Sequence, residues 1–157
     1  MRTLIVLILC SVVACSSPPA GSPAEPSPHE QLLGLWRVVE IKKLDTGEVQ
    51  PNNPEHHVYT ESHEMIVLAG RDRPKINKSL SDMTVDEVMS QQPIGAALYR
   101  YRVEGDKLMR TNIVALSAHY EGLSFETEFK VDGDTLVTSD RHAADGQLRQ
   151  WTLERVE

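Results

Sequence analysis

Cysteine is scarce in this 157-residue sequence, and its placement excludes disulfide stabilisation of the folded part. The two cysteines, Cys10 and Cys15, both lie within the first fifteen residues. The remaining residues, 16–157, therefore contain no thiol that could form a disulfide or bind a metal. A domain built from these residues must be held together by its hydrophobic core alone.

Motifs typical of catalysis and of phosphate binding are also missing. No serine lies in a G-x-S-x-G turn, and neither G-x-G-x-x-G nor G-x-x-x-x-G-K occurs. His56, His57 and His63 are close in sequence, but consecutive strand residues point to opposite faces, so His56 and His57 cannot bind one ion together. His63-Glu64 is not the zinc-protease motif, because Val67 stands where the second histidine belongs. We predict no catalytic residue, no metal ligand and no cofactor.

Positive charge is in short supply as well. The chain has 16 Lys and Arg against 23 Asp and Glu, a net charge of −7. This balance argues against nucleic-acid binding, which depends on basic side chains that neutralise phosphates. One basic cluster lies in a polar stretch, and we interpret it as a solvated loop, with an anion-binding patch as the alternative. The cluster consists of Arg71, Arg73, Lys75 and Lys78.

The longest apolar run lies at the amino terminus and has the pattern of an export signal. Arg2 precedes an apolar segment, 4–14, which is shorter than the ~20 residues of a membrane-spanning helix. The residues Val12-Val13-Ala14-Cys15 resemble the lipobox of bacterial lipoproteins. That resemblance implies removal of a signal peptide, 1–14, and acylation of Cys15 with palmitate-type chains that anchor the protein to a membrane. Loss of Arg2 with the signal peptide would bring the net charge to about −8.

The segment that follows Cys15 is predicted to be a tether. Residues 15–30 contain five of the nine prolines and no aliphatic side chain larger than alanine, so they cannot bury enough surface to fold. In lipoproteins of proteobacterial type, a residue other than aspartate after the cysteine usually implies the outer membrane, and Ser16 stands there. We therefore expect a cell-envelope protein on a membrane facing the periplasm, the outer membrane in preference.

Residues 31–157 are predicted to form one β-domain, because apolar and polar residues alternate with a period of two. The pattern is clearest where polar neighbours separate Leu123, Phe125, Thr127, Phe129 and Val131. Seven further runs have strand character: 35–44, 56–60, 64–69, 97–103, 108–115, 136–140 and 150–154.

Turns and one helix complete the expected architecture. The letters VEGDKL at 103–108 recur as VDGDTL at 131–136, and each glycine favours a tight hairpin turn. Residues 81–92 have helical character, with Ser81 or Asp82 as the cap and Pro93 as the stop. The apolar stripe of that helix would consist of Val85, Val88 and Met89. We predict an all-β, antiparallel up-and-down barrel of about eight strands with one short helix.

A family resemblance supports this barrel. Gly34-Leu35-Trp36 resembles the Gly-x-Trp signature of lipocalins, in which the tryptophan closes the barrel floor and an arginine near the end of the barrel packs across it. More closely, residues 33–156 resemble small lipocalin-like domains of bacterial envelope proteins. The resemblance implies a calycin-type barrel with a cavity, usually without an assigned ligand. It implies a floor built from Gly34, Trp36 and Arg155.

The function expected from these features is non-enzymatic. A mostly apolar cavity would take a small apolar ligand, such as an acyl chain. The inward aromatic residues expected to bind it are Trp36, Tyr99, Tyr101, Phe125 and Phe129. The alternative is a protein-interaction module, an inhibitor or an assembly accessory, in which these side chains fill the barrel. The sequence leaves the oligomeric state open.

Overall fold

The computed structural model describes residues 25–51, 54–71, 73–91, 95–142 and 145–156. The predicted signal peptide, the lipobox and Cys15 lie outside this part of the chain. Within it, no helix is both long and apolar enough to cross a membrane.

Nine strands and two short α-helices make up the described chain. The strands are β1 (Gly34–Lys43), β2 (Val49–Gln50), β3 (Glu55–Tyr59), β4 (His63–Leu68), β5 (Gly95–Glu104), β6 (Lys107–Ala115), β7 (Ser124–Asp132), β8 (Thr135–Arg141) and β9 (Leu148–Arg155). The helices are α1 (Pro28–Leu32) and α2 (Val85–Gln91), and single 3₁₀ turns occupy Leu80–Asp82 and Ala118–Tyr120.

Eight of the strands close into an antiparallel barrel. From β3 to β9 each strand pairs with the next along the chain, and β1 joins β3 on one edge and β9 on the other. The predicted all-β up-and-down barrel is therefore confirmed, and the eight predicted runs correspond to its eight strands. The two-residue strand β2 was not predicted. It pairs with β1 at Ile41 and Lys42, beyond the part of that edge that β3 covers.

The alternation of buried and exposed residues follows the prediction along most of the barrel. In β7, Thr127 and Phe129 are buried while their neighbours are exposed. Leu123 is an exception, because β7 begins at Ser124 and Leu123 lies before it with 45% of its surface exposed. The repeated turns contain Gly105 and Gly133 at φ +65° and +58°, a conformation that suits glycine.

The hydrophobic core fills one end of the barrel, which we call the closed end. Its members come from seven of the strands and from α1, and Trp36 is fully buried among them. The core consists of Leu32, Trp36, Val38, Tyr59, Tyr101, Leu108, Phe129, Leu136 and Leu153. Burial of these side chains provides the main stabilisation of a domain without disulfides.

Helix α1 covers the closed end, although its residues fall mostly within the segment predicted to be a tether. Ser27 and Glu30 form a capping box, and Pro28 occupies the first turn, where its missing N–H costs nothing. The Trp36 Nε1–H donates to the Leu32 carbonyl at 2.7 Å. These contacts hold α1 against the barrel floor although its first residues lie within a proline-rich stretch.

Arg155 joins α1 to the barrel floor. Its Cζ lies 4.1 Å from the centre of the Trp36 ring, and its two terminal nitrogens donate to the carbonyls of Gln31 and Leu33, each at 2.6 Å. Gly34, at φ +123°, begins β1 directly after these carbonyls. Helix carbonyls at a carboxyl end lack partners within the helix, and the guanidinium supplies donors for them.

Helix α2 is shorter and less buried than predicted. It begins after Thr84, whose Oγ1 accepts from the Glu87 N–H, while the Glu87 carboxylate accepts from the Thr84 N–H. Because of this capping box, the helix begins at Val85, later than the start predicted from a cap at Ser81 or Asp82. The predicted apolar stripe is largely exposed, with 78% of Val85 and 65% of Met89 accessible to solvent, so α2 does not extend the core.

Candidate functional site: a barrel cavity with a charged floor

The end of the barrel opposite α1 contains a cavity of about 490 Å³. Small residues help to keep it open, since Gly95, Ala96 and Ala97 of β5 line it together with Ala115, which pairs with Ala97. Exposed Leu116 lies at the mouth. The apolar part of the wall consists of Ile41, Ile66, Leu68, Tyr99, Phe125 and Trp151. A volume of this size falls within the range of small-molecule sites, ~300–1,000 Å³.

Two of the five aromatic residues predicted to bind a ligand line this cavity. Tyr99 and Phe125 stand edge to face with ring centres 6.2 Å apart. Trp36, Tyr101 and Phe129 belong instead to the core at the closed end and do not line the cavity. Period-2 alternation predicts which residues point inward, but it does not distinguish the filled end of a barrel from its open end.

The cavity wall is mostly apolar, as expected, but its floor carries charged residues that the sequence reading did not predict. A group of ionised side chains, here called the charged floor, lies where the core ends and the cavity begins. It consists of Glu55 and His57 of β3, Glu64 of β4, Arg110 of β6 and Asp140 of β8. Four of these five residues line the cavity, and Glu64 lies beneath them.

Glu64 is completely buried and is surrounded by donors. Its carboxylate accepts from the Tyr59 hydroxyl at 2.8 Å, from His57 Nδ1 at 3.0 Å and from Arg110 Nη1 at 3.3 Å. Burial alone would raise the pKa of Glu64, but the charge of Arg110 and the bond from His57 lower it to about 2. The carboxylate is therefore ionised at neutral pH and balanced by its neighbours.

His57 bridges two carboxylates. Nδ1 bonds Glu64, and Nε2 lies 2.9 Å from Glu55 Oε1. Burial lowers the pKa of His57, but the hydrogen bonds to Glu55 and Glu64 outweigh that effect and raise the pKa to about 9. With its pKa raised in this way, the ring is protonated on both nitrogens at neutral pH, and each nitrogen donates to one of the two carboxylates.

Arg110 links the two sides of the charged floor. Its Nη1 faces Glu64, while Nη2 donates to Asp140 Oδ2 at 2.6 Å and to the Thr127 hydroxyl. The hydroxyl of Thr127 donates to the same Asp140 oxygen at 2.9 Å. The guanidinium carbon lies 5.2 Å from the centre of the Tyr99 ring, within cation–π range.

Four residues that line the cavity each have a buried polar atom without a hydrogen-bond partner within the described chain: Arg110, Asn112, His142 and Arg149. Two of these atoms belong to successive inward residues of one strand. They are Nε of Arg110, a donor, and Oδ1 of Asn112, an acceptor, both on β6. Asn112 is only 3% exposed. A buried polar atom without a partner costs about 1–3 kcal/mol, so these atoms are positions at which a water or a bound molecule would supply a hydrogen bond.

The three histidines that are close in sequence do not meet at a metal site. His57 points into the barrel, whereas His56 follows the opposite face of β3, and His63 bonds the Ser62 hydroxyl at 2.8 Å. In the described part of the chain, no three His, Cys, Asp or Glu side chains are grouped so that they could hold an ion. The carboxylates of the charged floor form ion pairs with His57 and Arg110 instead.

The basic cluster follows β4 in a largely exposed stretch. Arg73 and Lys75 are exposed, and Lys78 pairs with Glu87 of α2 at 2.6 Å. The side chain of Gln91 reaches back to the Pro74 carbonyl at 2.9 Å. These contacts attach α2 to the stretch that precedes it.

The charged floor was missed by sequence reasoning, although one signal pointed to it. Glu55, His57 and Tyr59 alternate along β3, so a buried Tyr59 places the other two inside the barrel as well. The same rule applies to Arg110, which lies between Leu108 and Asn112 on the inward face of β6. A pattern based on apolar residues does not identify polar residues such as these as inward-facing.

Comparisons with known proteins leave the function to be inferred from this chain. No protein-family model matches the sequence, and no curated protein gives a significant match. The chain is similar to a solved structure of an uncharacterised protein from Bacteroides eggerthii DSM 20697, with a TM-score of 0.48 and 10% sequence identity. That similarity covers 78% of this chain and 98% of the other.

Proposed function

We propose that this protein is a cell-envelope lipoprotein that binds a small amphipathic molecule in its barrel cavity. The observation that carries the proposal is the cavity of about 490 Å³, with an apolar wall and two unpartnered polar atoms at its floor. An apolar wall gives affinity through burial, and a few fixed polar groups orient a ligand. The proposal keeps the apolar ligand body expected from the sequence and adds a polar end.

The open cavity supports ligand binding over the alternative of a protein-interaction module. That alternative required aromatic side chains to fill the barrel, but Tyr99 and Phe125 stand at the wall of an unfilled space. An interaction surface on the outside of the barrel would give no reason for unpartnered polar atoms inside it. Ligand binding accounts for both features.

The proposed role is binding rather than catalysis. His57 is the side chain at the cavity best suited to proton transfer, but both of its ring nitrogens bond carboxylates. A general base needs a free lone pair at the operating pH, and the imidazolium has none. We therefore interpret His57 as the cation that allows Glu55 and Glu64 to lie close together inside the barrel.

The anchor is the second part of the proposal. The apolar segment 4–14 and the residues Val12-Val13-Ala14-Cys15 support export, cleavage before Cys15 and acylation of that residue. Ser16 supports retention at the outer membrane, facing the periplasm. The domain itself begins at the closed end, where α1 lies, so the tether would join the barrel opposite the cavity mouth.

Cys15→Ser tests the anchor. We expect the wild-type chain to be processed, labelled by a palmitate analogue and recovered with membranes. We expect the variant to lack the label and to remain unprocessed. Cys10→Ser is the matched control, because that residue leaves with the signal peptide. Equal labelling and processing of wild type and Cys15→Ser would refute the lipoprotein proposal.

Native mass spectrometry of residues 16–157 tests the cavity, since the barrel and its core lie within this part of the chain. We expect a non-covalent adduct of small-molecule mass that leaves on denaturation. Ala115→Phe would fill the cavity and remove the adduct. Val114→Phe is the matched control, because Val114 is the preceding residue and is 51% exposed on the outer face. An adduct that survives Ala115→Phe unchanged would place binding elsewhere.

A further inference from the structure

We infer that the cavity selects a neutral amphipathic molecule whose polar end is a hydroxyl or a carboxamide, and that Arg110 Nε and Asn112 Oδ1 recognise this end. The inference rests on the proposed function and specifies its ligand. Both atoms are buried at the cavity and lack partners, while the other nitrogens of the Arg110 guanidinium are engaged.

The two atoms need opposite kinds of hydrogen-bond partner. The Arg110 Nε–H requires an acceptor, and Asn112 Oδ1 requires a donor. A carboxylate accepts but cannot donate, and an alkylammonium donates but cannot accept. A hydroxyl oxygen does both, and a carboxamide does both through its C=O and NH₂. A ligand group satisfies both buried atoms only if it can both donate and accept a hydrogen bond.

The charge of the floor also disfavours an anionic ligand. Three carboxylates, Glu55, Glu64 and Asp140, face two cations, His57 and Arg110, within a connected set of bonds. An added carboxylate would raise the negative charge of a buried region, and burial of an uncompensated charge is costly. The Arg110 guanidinium cannot compensate it, because its terminal nitrogens already bond Glu64 and Asp140. The two other arginines that line the cavity are also engaged, since Arg149 pairs with Asp145 and Arg141 donates to the Gly146 carbonyl.

The wall defines the other end of the ligand. Above the floor the cavity is bordered by Ile66, Leu68, Phe125 and Trp151, and it continues to Leu116 at the mouth. An alkyl or similar apolar body would extend along this wall from a polar end held at the floor. The expected class is therefore a fatty alcohol, a fatty amide or a neutral lipid fragment rather than a fatty acid.

A head-group series on residues 16–157 tests the inference. The neutral fluorescent probe N-phenyl-1-naphthylamine is displaced at pH 7 by 1-decanol, decanamide, decanoate or decylamine, which share a ten-carbon chain. We expect decanol and decanamide to bind about tenfold more tightly than the two ionised compounds, as a lost buried hydrogen bond implies. Equal or tighter binding of decanoate or decylamine would overturn the inference.

Asn112→Leu assigns the preference to the named residue. It removes the acceptor with little change of volume, so the advantage of decanol over decanoate should fall about tenfold. Thr138→Val, a buried polar residue of the same cavity, is the matched control and should keep the preference. An unchanged head-group ranking in Asn112→Leu would count against Asn112.

The outcomes separate the two proposals. If neither the probe nor any ten-carbon compound binds, the cavity is not a ligand site and both proposals fail. If the probe and decanoate bind but the neutral compounds have no advantage, ligand binding stands and the head-group inference fails. The ranking is measured on the unaltered barrel sequence, so it does not depend on the folding of a variant.

Discussion

Glu64 illustrates at the scale of one residue how this barrel tolerates a buried charge. No part of Glu64 reaches solvent, yet three donors from β3 and β6 surround its carboxylate. A buried ion pair adds little net stability compared with an apolar replacement of the whole group, but removal of one partner leaves the other charge unpaired. The residues of the charged floor therefore depend on one another.

Glu64→Gln is expected to lower the free energy of unfolding by about 3–5 kcal/mol, because Arg110 and His57 lose a buried counter-charge. Urea denaturation followed by circular dichroism measures this loss. Glu126→Gln is the control, since Glu126 pairs with Lys107 at 2.5 Å on the surface. That change should cost less than about 1 kcal/mol. Similar costs for the two variants would contradict a coupled floor.

His57 should give the barrel a characteristic pH dependence. Its pKa is raised from 6.5 to about 9, so its contribution is complete below pH 6.5 and is lost as the pH rises through about 9. The expected loss is about 3 kcal/mol over that window. Urea unfolding at a series of pH values measures it. His57→Gln should remove this slope, and His56→Gln, on the other face of β3, should keep it.

Glu64 has the opposite dependence at acidic pH. Its lowered pKa, about 2 instead of 4.5, contributes stability that is present above pH 4.5 and is lost as the pH falls towards 2. Together the two groups place the broad stability maximum between pH 4.5 and 6.5. A wild-type stability that stays flat from pH 6.5 to 9 would show that His57 is not the cation of the floor.

At the scale of elements, one side chain from β9, Arg155, makes several of the contacts that join α1 to the barrel. Arg155 covers the Trp36 ring and donates to the carbonyls of Gln31 and Leu33. A lysine keeps the charge but loses the flat guanidinium and its paired donors. The helix has only five residues, too few to be stable by itself, so its position depends on contacts with the barrel such as those of Arg155 and Leu32.

Arg155→Lys is expected to lower the free energy of unfolding by about 1–3 kcal/mol and to speed amide exchange in α1. Exchange measured by mass spectrometry locates the effect. Arg37→Lys is the control, because Arg37 pairs with Glu154 at 3.2 Å where both side chains are 56% exposed. Unaltered protection of α1 in Arg155→Lys would mean that the apolar contacts of Leu32 suffice.

Irregularities in two strands separate the core from the cavity. In β1 the register shifts between Val38 and Glu40, and in β6 an extra residue, Ile113, bulges opposite β5. Each shift reverses the alternation, so that Ile41 and Ala115 face the cavity. Bulges bend a strand and increase its twist, which lets the barrel widen beyond the charged floor.

The whole molecule thus has two ends with different contents. The closed end contains Trp36 within the core, and the open end contains Trp151 at the cavity wall. Molecules that enter the cavity should therefore change the surroundings of one tryptophan and leave those of the other unchanged.

Addition of 1-decanol is expected to change the fluorescence of the wild-type barrel through Trp151. Trp151→Phe keeps an aromatic wall, so decanol should still displace the probe, with the tryptophan signal constant. Trp36 then serves as the internal control, because it is buried with Arg155 at the closed end. A full decanol-induced change in Trp151→Phe would place the ligand near Trp36 instead.

Sequence reasoning predicted the barrel well because its strands carry a strong period-2 pattern. Phe125, Thr127 and Phe129 show one buried face within a few residues, and such local signals need no tertiary information. Strand β2 and helix α1 were missed because they span two and five residues, which are too short for a periodic pattern.

The site could be predicted only in part. The inward positions of Tyr99 and Phe125 can be predicted from the period-2 alternation. The contact between Arg110 and Glu64 cannot, because the two residues are 46 positions apart and come together only when β4 and β6 lie in one barrel. The separation of core and cavity depends on bulges, which have no clear sequence signature. The residues that give the cavity its chemistry are therefore the least visible in the sequence.

Strand β2 has a consequence for the behaviour of the protein at high concentration. An uncovered strand edge is a template on which other chains can add, and this is a common start of aggregation. Two residues, Val49 and Gln50, occupy the part of the β1 edge that β3 does not reach. By pairing there, this short segment removes a place where copies of the chain could join into fibrils.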